Sequence, residues 1–196
     1  MSMIDLAPAA REVERLLDGV KEDQLSGPTP CPDYSVAGLL DHLMGLSLAF
    51  TWAARKTPPA GGTSAPNTAA GSLDPQWRTL LPQRLADLVA AWRDPRAWEG
   101  MTEAGGVTLP AEQMGAVALD ELALHGWDLA RATGQPFTCD PDSTAVVLAF
   151  TSATAEPGAL RDGLFGPVVP VPADAPAFDR ALGFAGRDPA WTPGPR

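Results

Sequence analysis

Apolar residues recur along the chain at three- and four-residue intervals, in stretches separated by proline- and glycine-rich segments. This pattern predicts successive helices. The first runs from about Met3 or Asp5 to Val20, with Leu6, Val13, Leu16 and Leu17 on one face and Arg11, Glu12, Glu14 and Arg15 between them. In the segment GPTPCPDYSV that follows, Pro28, Pro30 and Pro32 exclude regular helix or central strand and stiffen the approach to a second helix. That helix, Ser35 to Lys56, is apolar nearly all round, as a core helix is, with Asp33 or Ser35 as its N-cap. Gly38 and Gly45, about one turn either side of His42, leave room for a neighbouring helix or a ligand.

A third helix is predicted from about Asp74 to Asp94, with Asp74 as N-cap and Pro75 in the first turn. Leu80, Leu81, Leu85, Leu88, Val89 and Trp92 form its apolar face, and Pro82 should kink or split it. Residues 95–109 have no helical period and read as two short strands around a Gly-Gly turn or as an extended loop. A long helix then runs from Pro110 to Gly134, and a fifth from about Asp142 to Ala155. Thr57 to Leu73 is a low-complexity loop. The proline-rich last forty residues read as an extended arm wrapping the bundle, with a short helix near 177–184. Its aromatics, Phe165, Phe178, Phe184 and Trp191, suit docking rather than disorder. The division expected is a helical bundle over residues 1–156 and an arm over 157–196.

Composition narrows the function classes. A chain of 196 residues with 45% hydrophobic content is long enough for one well-cored domain. The net charge of −10 disfavours nucleic acid, which needs clustered Lys and Arg, and no polybasic patch suits an anionic membrane. No apolar run approaching the roughly 20 residues of a membrane span is read from the sequence. The N-terminus lacks a basic start followed by an apolar core, so a cytoplasmic location is expected. Cys31 and Cys139 sit in unrelated contexts and read as two reduced thiols.

The candidate chemistry lies on the Pro110–Gly134 helix. Glu121, His125 and Asp128 fall in one narrow sector that Met114, Val117 and Ala118 otherwise make apolar. The chain's other histidine, His42, lies in the apolar second helix. Side chains at i and i+4 can reach one ion, so His42, Glu121 and His125 form a candidate two-histidine, one-carboxylate metal set. Such a set suits zinc, iron, nickel or manganese and leaves positions open for water or substrate. The plainer readings are a satisfied core histidine at His42 and a solvated pair at Glu121 and His125. Asp128 reads in three ways: it orients a metal-bound histidine, accepts a proton from a metal-bound water or thiol, or pairs with Arg131 or another helix. Trp127 points away and packs. Arg131 either binds a substrate carboxylate or sits at the surface matching the helix dipole. Nucleophile-elbow, Walker and dinucleotide fingerprints are absent.

The segments TPCPDYSVAGLLDHL and ALDELALHGWDLARATGQ resemble the DinB-like superfamily, most closely its mycothiol-dependent maleylpyruvate isomerase branch and that branch's N-terminal metal-binding domain. The ending FGPVVPVPADAPAFDRALGFAGRDPAW resembles a subgroup of uncharacterised metal-binding proteins in the same branch. The resemblance implies an all-α, DinB-like four-helix bundle with a short extra helix and an extended proline-rich C-terminal arm. It implies a divalent metal, zinc first with nickel or iron as alternatives, held by His42, Glu121 and His125, with Asp128 as the working group beside it. It also implies a low-molecular-weight thiol of the mycothiol type and an electrophilic small molecule as partners, in a transferase or isomerase relative. A homodimer is compatible with it. The competing expectations are a non-catalytic metal-binding or stress-related protein and a metal-dependent hydrolase.

Overall fold

Each predicted helix has an apolar face that only another helix can cover, and four of them close into a ring to do so. The computed structural model describes residues 3–59, 73–156, 161 and 163–194. Helices α1 (Ala7–Leu17), α2 (Val36–Arg55), α3 (Trp77–Trp92) and α4 (Ala111–Thr133) form the bundle. Both α1 and α2 pack on α3 and on α4. Helix α5 (Pro141–Ala153) lies on α4, and α6 (Ala177–Phe184) lies on α5. Val13 and Leu16 of α1, Leu39, Leu40 and Leu43 of α2, Leu81, Leu85 and Leu88 of α3, and Leu119 and Leu122 of α4 are buried in the centre. Burying each such side chain contributes about 1.5–3 kcal/mol.

Helix boundaries follow local chemistry. Ser35 caps α2 by accepting from the Gly38 N–H at 3.2 Å, and Lys56 ends it in the left-handed region at φ 54°. By length and a mean hydropathy of 1.3, α2 is apolar enough to cross a bilayer, which corrects the sequence reading that no such run exists. More than half of that window, 56%, is buried inside the protein, as a core helix would be. Asp74 does not cap α3 directly: its carboxylate accepts from the Gln76 N–H at 2.8 Å, and Gln76 is the N-cap. Pro82 does not split α3. It stands in the second turn, where its missing N–H costs one bond to the Arg78 carbonyl and leaves the later turns intact. Helix α5 starts at Pro141, one residue before the expected Asp142, and Asp140 caps it by accepting from the Ser143 N–H at 3.0 Å.

The segment without helical period forms an antiparallel hairpin, β1 (Met101–Ala104) with β2 (Val107–Pro110), in the register Met101 to Pro110 and Ala104 to Val107. Its two turn residues, Gly105 and Gly106, have φ 59° and 79°, the conformation that makes glycine the usual choice there. The hairpin delivers the chain directly into α4. The low-complexity loop lies for residues 60–72 outside the described residues. In the C-terminal segment, Phe178 stacks on Phe137 with centroids 5.5 Å apart, and Phe165 and Trp191 also pack against the core.

Candidate metal centre

Helix α4 crosses the bundle with every residue from Leu122 to Ala130 buried. It ends where Gly134 takes the left-handed conformation at φ 72°. Four residues apart on it, Glu121 and His125 project toward α2, which presents His42. The Oε2 atom of Glu121 lies 3.2 Å from His42 Nε2 and 3.1 Å from His125 Nε2. One ligand atom from each of the three residues lies within 4.8 Å of the other two. The two imidazole rings meet edge to face at 4.7 Å. The side chains of His42 and His125 are 10% and 8% exposed and that of Glu121 is 27% exposed, so the cluster reaches solvent on the Glu121 side.

The outer ring nitrogens are engaged as well. His42 Nδ1 lies 3.2 Å from the Tyr34 hydroxyl, and the Tyr34 ring stacks on His42 with centroids 4.9 Å apart. His125 Nδ1 lies 3.0 Å from Asp128 Oδ2. Each imidazole therefore has its Nδ1 tied to an oxygen and its Nε2 turned inward. A second hydrogen-bonding shell of this kind is how proteins fix the tautomer and orientation of metal-binding histidines. The residues fit a divalent metal: two imidazole nitrogens and a carboxylate oxygen suit zinc, nickel or iron and leave coordination positions open. Gly38 does make room, but for Tyr34, whose ring would stand 3.5 Å from a Cβ there; Gly45 is exposed and faces nothing within 4 Å.

Asp128 is fully buried, and its pairing differs from the expectation. Its partner is neither Arg131 nor a cation of another bundle helix but Arg187, from the segment after α6. Arg187 Nη2 donates to Asp128 Oδ2 at 3.0 Å and Nε to Oδ1 at 3.3 Å. Arg131 instead donates from Nε to the Trp191 carbonyl at 3.0 Å, so it binds the chain's own backbone. Trp127 is buried as expected, with the Arg131 guanidinium 5.9 Å from its ring.

The cluster shifts its own titrations. Burial would raise the Glu121 carboxyl, but hydrogen bonds from His125 and His42 outweigh it and hold the group well below the usual carboxylate range. Burial would likewise lower His125, yet its bonds to Asp128 and Glu121 push it up to about 9. Asp128, raised by burial, is held low by the Arg187 charge and by His125. Burial pushes Tyr34 up to about 12 and the Cys31 thiol up to about 11. Tyr34 and Arg187 are the site residues that sequence reasoning missed. The CPDY segment placed Tyr34 immediately before the Ser35 cap of α2, but nothing in the periodicity said that its hydroxyl turns back onto His42.

A helical bundle that gathers two histidines and a glutamate from α2 and α4, with each outer ring nitrogen bound to an oxygen, defines a class of helical proteins with a constellation that could hold a metal ion. The chain belongs to the mycothiol maleylpyruvate isomerase N-terminal domain family, whose model matches residues 6–130. An uncharacterised protein found in two strains of Mycobacterium tuberculosis is 29% identical over 184 residues, covering 88% of this chain and 90% of that one. Crystal structures of the mycothiol-dependent maleylpyruvate isomerase and of a histidine-to-alanine mutant of it superpose with TM-scores of 0.54 and 0.56 at 17% identity. They cover 77% and 74% of this chain and 70% and 66% of theirs. The likeness establishes a shared helical fold, consistent with the DinB-like bundle expected from the sequence.

Proposed function

We propose that the protein is a metal-dependent enzyme that joins a low-molecular-weight thiol, of the mycothiol type, to the transfer or isomerisation of an electrophilic small molecule. The observation that carries this reading is the convergence of His42 Nε2 and His125 Nε2 on Glu121 Oε2, with both Nδ1 atoms held by oxygens. His42, Glu121 and His125 would hold the metal, zinc first and nickel or iron as alternatives. When bound, it would lower the pKa of a thiol and keep thiolate available at neutral pH.

The remaining steps fall to the chain's own groups. Asp128 accepts the Nδ1 proton of His125 and so presents Nε2 as the ligating nitrogen. Being fully buried, it acts through His125 rather than on substrate, as a positioning group. Tyr34 does the same for His42. The more exposed Glu121 marks the side from which small molecules approach. Cys31 and Cys139 are both pushed up to about 11 by burial, which leaves them as thiols at neutral pH and favours an external nucleophile. About a third of the isomerase chain has no counterpart in the superposition, so its own reaction is not carried over.

The test is elemental analysis of chelator-free protein, followed by thermal-shift screening of mycothiol-type thiols and assay of thiol-dependent turnover of electrophiles. Stoichiometric metal, a thiol-dependent shift and loss of turnover in His125→Ala are expected. Turnover that survives metal removal would overturn the mechanism, and turnover without any thiol would turn the reading to hydrolysis.

A further inference from the structure

The segment GRDPAW, residues 186–191, follows α6 outside the ring of four helices, yet it sends Arg187 to the buried Asp128 of α4. Gly186 turns the chain out of α6 at φ 77°, in a space where a Cβ would stand 2.9 Å from the Gly166 carbonyl oxygen. The turn sends Arg187 back toward α4. There its side chain is 8% exposed and every guanidinium nitrogen is used: Nη2 and Nε on Asp128, Nη1 on the Ala185 carbonyl at 2.9 Å. One turn along α4, Arg131 returns the grip by binding the Trp191 carbonyl. Two guanidinium clamps thus join α4 to the C-terminal segment, one running in each direction.

One of these clamps ends one bond from a metal-ligand candidate. Asp128 Oδ2 accepts from Arg187 Nη2 and lies against His125 Nδ1, both at 3.0 Å. A fully buried carboxylate is expensive without a counter-charge, and a carboxylate free to rotate cannot hold an imidazole at one angle. Arg187 supplies the charge and, through two parallel bonds, the orientation.

We propose that Arg187 is a positioning residue of the metal centre: through Asp128 it fixes His125, so that docking of the C-terminal segment and binding of metal are coupled. The inference rests on the reading of His42, Glu121 and His125 as ligands. Coupling is reciprocal, so metal must also hold the segment more tightly in place.

Zinc and cobalt(II) titrations of the full chain test it, with metal-free melting curves to confirm folding. Arg187→Met should bind either ion about 10- to 100-fold more weakly and change the cobalt(II) visible spectrum, as loss of an outer-shell partner does. Arg187→Lys should recover part of the affinity. Asp128→Asn should lose a similar factor, and the double variant little more than either single one. In the unmutated protein, zinc should slow amide exchange across residues 185–191, a measurement that needs no variant to fold. Wild-type affinity and spectrum in Arg187→Met, or zinc binding that leaves exchange in this segment unchanged, would overturn the proposal. If the unmutated protein binds neither ion, the metal reading itself falls, and this inference with it.

Discussion

Asp128 stands one helical turn beyond His125 on α4 and takes up its Nδ1 at 3.0 Å, which leaves Nε2 as the ring nitrogen that faces Glu121. The arrangement uses ordinary i,i+3 geometry, but the carboxylate has no access to water and depends on Arg187 from 59 residues downstream. Replacing it should therefore cost fold stability as well as ligand geometry. Asp128→Asn leaves the Arg187 guanidinium buried without a counter-charge, and removing one partner of a buried ion pair typically costs about 3–5 kcal/mol. Urea denaturation of the metal-free protein should show a loss of this order.

The acid–base behaviour of the metal-free protein follows from the same pair. His125 rises from 6.5 to about 9 in the folded state, so its contribution to stability is complete below about pH 6.5 and is lost as the pH climbs through about 9. Glu121 and Asp128 are lowered, so theirs is present above the ordinary carboxylate range and is lost as the pH falls below it. Metal-free stability should decline from neutral to mildly alkaline pH. A metal needs the neutral imidazole, so zinc affinity should rise over the same window and binding should release protons. Calorimetric titration in buffers of different ionisation enthalpy counts those protons; zero release would contradict a protonated His125.

Much of this centre was legible in the sequence because helical periodicity reports which residues share a face. Glu121, His125 and Asp128 interrupt an apolar sector, and the chain's other histidine interrupts another apolar helix. Periodicity carries no information across irregular chain, however. Arg187 reaches Asp128 from beyond α6, and Arg131 spends its charge on a backbone carbonyl of the same segment, so neither pairing was visible as a pattern. Pro82 misled in the opposite direction: residue type predicted a break, but its position in the second turn of α3 limits the cost to one hydrogen bond. Asp74 misled by two residues, its side chain turning the chain before the helix rather than capping it.

Gly115 provides a check on packing that should leave the candidate metal centre alone. It lies near the start of α4 beneath the edge-to-face pair Trp92 and Trp98, whose centroids are 4.8 Å apart. A methyl group there would collide with the Trp98 ring, and that ring is held by a 2.8 Å bond from its indole N–H to the Trp92 carbonyl. Gly115→Ala should therefore destabilise by about 1–3 kcal/mol, the usual cost of overpacking a core. Zinc affinity measured well below the melting temperature should stay at the wild-type value, because Glu121 lies nearly two turns away.

Tyr34 separates two contributions to His42, the stacked ring and the hydroxyl bond. Tyr34→Phe keeps the ring, and with it the packing over Gly38, and removes only the oxygen that faces Nδ1. The imidazole then loses the partner that fixes its tautomer, and zinc affinity should fall about tenfold, the lower end of what an outer-shell contact supplies. Fold stability should change by only about 1 kcal/mol, since the hydrogen bond is a single one at a partly buried site. Tyr34→Leu removes ring and hydroxyl together and should cost more of both. If Tyr34→Phe binds zinc as tightly as the unmutated protein while Tyr34→Leu does not, the ring's packing rather than its hydroxyl sets the orientation of His42.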